Sequence, residues 1–163
     1  MKKTIKTLLT AAALTCCMAV PAFAASTKQE FKTEAAPVRE ELKSISQEMQ
    51  QYHTENKAVS AAFKAVKTAN KESKKNGGGI TVDAAKWKQA RELKKEIAAI
   101  RAEMKPTDGQ VKALHTNAKA DTKAGNYDGA LDKLKESAEI RKDRLEYTKQ
   151  INAIWSQIDT LLS

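Results

Sequence analysis

PVREELKSISQEMQQYHTENKAVSAAFKAVKTANKESKK, residues 37–75, is the stretch whose reading decides the fold. Apolar and small residues fall at Val38, Leu42, Ile45, Met49, Tyr52, Val59, Phe63 and Val66, in steps of three and four. That is a heptad seam, interrupted only by Asn56 at its middle. The phase survives the polar run His53-Thr54-Glu55-Asn56, so the spacing predicts one continuous helix over 37–75, about 58 Å long at about 1.5 Å per residue. Pro37 suits its first position, where a missing N–H costs nothing. A helix with one apolar seam must bury it against other elements.

Downstream, Asn76-Gly77-Gly78-Gly79 ends the helix, because glycine tolerates the backbone conformations that reverse a chain. A glycine run can also cradle phosphate. That use needs a preceding strand and a tuned helix start, so the run reads as a hinge. A second helix is expected over 82–104, with Ala90, Leu93, Ile97, Ile100 and Met104 on one face, and Lys105-Pro106 breaks it. Thr107-Asp108-Gly109-Gln110 reads as a capping box opening a third helix over 108–123, which Gly125 ends. A fourth helix is expected over 127–162. Its first half gathers Tyr127, Leu131, Leu134, Ala138 and Leu145; its second gathers Ile140, Tyr147, Ile151, Ile154, Ile158 and Leu161 on nearly the opposite face. The halves must bury against different neighbours: the first against helix three, the second against helix one, helix two or another subunit. Helices two and three together roughly match helix one in length. The expected fold is all-α: an elongated antiparallel bundle of coiled-coil hairpins with a kinked middle element.

Upstream, residues 1–24 form a leader pattern: basic Lys2, Lys3 and Lys6, an apolar run from Leu8 to Val20, and the small-residue run Ala22-Phe23-Ala24. The apolar run is too short to span a bilayer. Cleavage between Ala24 and Ala25 is expected, giving an extracytoplasmic chain, periplasmic or secreted and soluble. Lipid attachment at Cys16 is the rival reading, and Thr15 directly before it fits poorly. Removal of 24 of the 163 residues leaves 139, without Cys16 or Cys17 and with +6 of the original +9 charge. Stability must then come from helix packing, without disulfides. Residues 25–36 read as a flexible arm or a short helical turn that Phe31 could dock, ahead of one helical domain over 37–163.

The charge is concentrated. Residues 64–95 carry ten basic groups (Lys64, Lys67, Lys71, Lys74, Lys75, Lys86, Lys88, Arg91, Lys94 and Lys95) against three acidic ones. The flanking regions are nearly neutral. A hairpin at the glycine turn brings both basic segments to one end, so their charges add in space. Cations near a helix C-terminus are favourable, which accounts for Lys71, Lys74 and Lys75. It does not account for Lys86 and Lys88, which start a helix. Trp87 among them suits either a contact anchor or a boundary residue packed on helix one. These eleven residues form the candidate surface for anionic partners: lipid head groups, envelope polymers, or acidic and unfolded proteins. Nucleic acid is not expected, since aromatic stacking residues are sparse.

Neither His53 nor His115 has a carboxylate or second histidine at helical ligand spacing, so no metal site is expected. No nucleophile elbow, phosphate loop or HExxH occurs, and no cofactor or catalytic residue is assigned. Gly125-Asn126-Tyr127-Asp128-Gly129-Ala130 looks like the middle of a tetratricopeptide repeat, but it stands alone and reads as hairpin packing. The stretch of about 105–162, with Thr107-Asp108-Gly109-Gln110, resembles the exported stress proteins typified by Spy and CpxP. Pro106 replaces the leucine of that family's motif, and a second copy near the C-terminus is missing. The resemblance implies a cradle-shaped dimer that holds unfolded clients without ATP. The sequence therefore points to an exported, non-enzymatic helical binding protein, chaperone-like, acting through basic and apolar helix surfaces. The alternative is an envelope spacer or adaptor acting through coiled-coil self-association.

Overall fold

A computed structural model describes residues 27–79 and 81–163. The leader at 1–24, its cleavage point and both cysteines lie outside the described residues. Among those described, the regular structure is all helical: α1 (Lys28–Lys75), α2 (Ala84–Met104), a 3-10 turn (Lys105–Thr107), α3 (Gln110–Ala124) and α4 (Tyr127–Leu162).

Helix α1 is continuous through residues 53–57, as its phase implies, and buries Leu42, Ile45, Asn56, Phe63 and Asn70 along the seam. It begins earlier than Pro37. Thr27 Oγ1 accepts from the Glu30 backbone N–H at 3.2 Å, and the Glu30 carboxylate accepts from the Thr27 N–H at 2.9 Å. This capping box opens the helix nine residues ahead of Pro37. The described part of the expected arm is therefore helix, and Phe31 docks it, 3% exposed. Pro37 inside the helix forfeits an i→i−4 bond at a cost of about 3 kcal/mol. Burial of Phe31, about 2–3 kcal/mol, and the cap, about 1 kcal/mol, together match that cost.

The contacts between α1 and α4 rise together in number. Phe31 and Tyr127 stack at 5.8 Å, Glu41 bonds Lys142 at 2.9 Å, Glu48 bonds Lys149 at 3.2 Å, and Phe63 meets Trp155 edge-on at 6.2 Å. The two helices run parallel. Against α4 the middle segments run the other way: Lys94 over Trp155, Asp108 to Arg144, His115 to Ser137, Asp121 to Lys133. The molecule is thus three columns, up, down and up, with α2 and α3 forming the kinked middle one. Helix α4 is the hub, packing on α1, α2 and α3.

Two separate cores result. Phe31, Ala35, Ala118, Ala130, Leu131 and Leu134 fill one; Phe63, Trp87, Ala90, Ile97, Ile151, Trp155 and Ile158 fill the other. The change of face in α4 follows, since its first half buries against α3 and its second against α2. The faces are less opposed than the sequence implies. Ser137, Thr148 and Trp155 are buried between them, and Trp155 is the largest fully buried side chain.

The kink differs from expectation. Thr107 does not cap α3: its hydroxyl donates to the Met104 carbonyl at 2.7 Å and accepts from Arg144 Nη1 at 2.7 Å. Pro106 favours the tight 3-10 turn, and Gly109, at φ +83°, redirects the chain. Helix α3 then starts at Gln110, two residues after the expected 108, with Gly109 as an N-cap that offers no side-chain bond. Helix α2 likewise starts at Ala84 rather than 82, capped by Asp83.

Candidate functional site

The basic residues gather where α1 turns into α2. Helix α1 closes on Asn76, and the Gly78 N–H donates to the Ser73 carbonyl at 2.8 Å. Gly77 sits at φ +74°, a conformation side chains disfavour. A Cβ on Gly78 would lie 2.5 Å from Ser73 Oγ and 3.2 Å from its carbonyl oxygen. Gly77 is thus favoured by its backbone conformation and Gly78 by its close approach to Ser73. The chain is then stapled back: Asn70 Oδ1 accepts from the Thr81 N–H at 2.7 Å and the Thr81 hydroxyl at 2.8 Å. Those donors fix the amide's orientation and leave its buried Nδ2 without an acceptor. At the start of α2, Asp83 Oδ1 accepts from the Lys86 N–H at 2.8 Å. That carboxylate supplies the negative charge a helix N-terminus favours and offsets Lys86 and Lys88.

Between the two helices lies a hollow of about 460 Å³. Its floor is Phe63 stacked on Trp87, ring centroids 5.0 Å apart at 30°. Lys67, Lys71 and Lys74 rise on the α1 side beside Asn70; Arg91, Lys94 and Lys95 rise on the α2 side. Seven of the eleven residues singled out in the sequence therefore meet around one space. Lys64, Lys75, Lys86 and Lys88 are exposed outside it. Trp87 is 9% exposed and stacks on Phe63 of helix one, as a boundary residue does, while its ring still lines the hollow.

Most of the cations in this patch lack an acid within ion-pair distance among the described residues. Of its ten cations, only Lys95 has a carboxylate partner among the described residues, Glu92 at 2.9 Å. By contrast, Lys133, Lys142, Arg144 and Lys149 each hold an acid elsewhere in the fold. Burial holds the Lys94 ammonium below the usual lysine range, reinforced by Arg101 and Lys64. Its Nζ lies 5.2 Å from the centroid of the Trp155 ring, whose negative face favours the cation. The sequence did not single out Asn70, though its signal was there: Asn56, Phe63 and Asn70 are spaced by seven. Phe63 belongs to the seam and also forms the floor of the hollow.

Chemically, the hollow offers hydrogen-bond donors, positive charge and an aromatic surface. Among the described residues that line it there is no carboxylate, thiol or imidazole to act as base or nucleophile. His53 is exposed, and among the described residues no group of three or more His, Cys, Asp or Glu side chains gathers as metal ligands. Among those residues no helix is long and apolar enough to cross a membrane. No family model, curated protein or solved structure matches the chain.

Proposed function

We propose that this is an exported, non-enzymatic binding protein that holds acidic or unfolded polypeptides in a chaperone-like way, without nucleotide. One observation carries the reading: a cluster of cations, nearly all unpaired, stands around an aromatic floor in an open hollow. A cluster of like charges repels itself, and an acidic partner relieves that repulsion. An apolar floor beneath it gives a partner's exposed side chains somewhere to bury. Export rests on the leader pattern at residues 1–24.

The test is light scattering of an acidic client diluted from denaturant, with and without the protein. At a few-fold excess the protein suppresses aggregation, and salt of about 0.5 M weakens the effect as exposed charges are screened. The variant K67E/K71E/K74E/R91E loses most of the suppression while keeping its helical circular dichroism. Absence of suppression at several-fold excess sinks the reading. A stable elongated oligomer indifferent to clients would favour the spacer instead.

A further inference from the structure

A second cationic hollow lies at the waist of the molecule, about 30 residues along the chain from the glycine turn, and the reading above does not use it. It encloses about 580 Å³ between Met49 of α1, the kink at Thr107–Gly109, the start of α3, and Arg141 and Arg144 of α4. Arg144 is already neutralised, holding Asp108 at 2.8 Å. Arg141 is not. Its guanidinium donates to Ser46 Oγ of α1 and has no carboxylate partner among the described residues. A half-buried guanidinium without a counter-ion is costly unless something supplies one. His115, Lys112 and Lys119 complete the wall, and Asp108 is its sole acid among the described residues. His115 Nε2 lies 2.8 Å from Ser137 Oγ, which places the imidazole against α4. Burial holds the His115 pKa below its ordinary 6.5, and the nearby charges of Arg141 and Lys119 push the same way.

We propose that this waist hollow binds a phosphate-type oxyanion, with Arg141 as its principal ligand. The planar guanidinium matches two oxygens of such a group, and Lys112 and Lys119 add charge from the side. The hollow adjoins a smaller one, about 290 Å³, that shares His115 and Lys119 and is walled by Phe31, Leu42, Ala118 and Leu134, with Arg39 and Thr122 on its polar side. The oxyanion's source is therefore either free phosphate or the head group of an amphiphile whose chain enters the apolar neighbour. The site is remote from the glycine-turn hollow and stands or falls apart from the chaperone-like reading.

The experiment is imidazole NMR of the 15N-histidine-labelled protein, in a low-salt buffer free of phosphate, titrated with inorganic phosphate or with dodecyl phosphate below its micelle concentration. His115 responds saturably, its pKa rising as the anion offsets Arg141 and Lys119, while His53 does not move. Arg141→Gln weakens binding at least tenfold and Lys112→Gln several-fold, with wild-type affinity in K71E. Equal affinity for the two probes identifies the free anion as source; dodecyl phosphate binding at least tenfold tighter identifies the amphiphile. Should melting show R141Q to be unfolded, Lys119→Gln joins Lys112→Gln under the same criterion. No saturable response at His115, or unchanged affinity in the folded variants, overturns the proposal.

Discussion

Asn56 is 6% exposed on the packed seam of α1, and its Oδ1 has no donor among the described residues. An unsatisfied buried acceptor costs about 1–3 kcal/mol, and the position is otherwise suited to an apolar side chain. Asn56→Leu should therefore stabilise the protein by about 1–2 kcal/mol, read from urea unfolding, with an unchanged m-value. A lower midpoint would show that the amide serves the packing in a way its bonds do not reveal. His115 gives a second prediction, with its sign fixed by the direction of its shift. The folded state holds the imidazole below 6.5, so the unfolded chain binds the proton more readily. The contribution is complete above about pH 6.5 and fades as pH falls from there through the folded value. Arg141, Arg144 and Ser137 of α4, Lys112 and Lys119 of α3, Asp108 at the kink and Arg39 of α1 surround the ring or line the hollows it shares. His115→Gln should flatten the fall in stability between pH 7 and 5, and a wild-type curve already flat there would refute the linkage.

Elements were legible to different degrees. The continuity of α1 could be read because its period persists through the polar stretch at 53–56. Its start could not, because Pro37 mimics a first helical position while the true cap, Thr27 with Glu30, lies ahead of a docked Phe31. The same local pattern, threonine followed three residues later by Glu or Gln, occurs twice with different outcomes. At Thr27 the box forms; at Thr107 the proline before and the left-handed glycine after redirect the backbone. Tertiary packing decides the first case, and it can be tested. Phe31→Ala should cost about 3–5 kcal/mol and release residues 28–36, seen as early proteolysis and rapid amide exchange there. Protection of that segment equal to wild type would show that the capping box alone holds it.

At the scale of the whole molecule, the basic site was legible because charge can be counted and a hairpin turn places its two arms together. Burial cannot be counted in that way. Trp87 sits among lysines in sequence yet lies under them in space, because Phe63 offers it a stacking partner from another column. Lys95 reads like its neighbours, yet Glu92 neutralises it. The waist is not legible in the sequence for a related reason. Arg141, Arg144, His115 and Lys112 lie in a region of zero net charge, and only the fold separates Arg144, paired with Asp108, from Arg141, which has no carboxylate partner among the described residues. Likewise, the two apolar faces of α4 were visible in its periodicity, but the polar side chains that join them, Ser137 and Thr148, were not.

Three columns in alternating directions have one practical consequence. An odd number of passes leaves the two termini of the described chain at opposite poles, roughly a helix length apart. Thr27 stands beside the first core, whereas α4 ends on Leu161 and Leu162, which pack against the Phe63–Trp87 cluster. A purification tag or fluorophore fused after Ser163 would crowd the glycine-turn hollow and distort any binding assay. The same label at the Thr27 pole leaves that hollow open, and fluorescence transfer between the two poles would report on the molecule's full length.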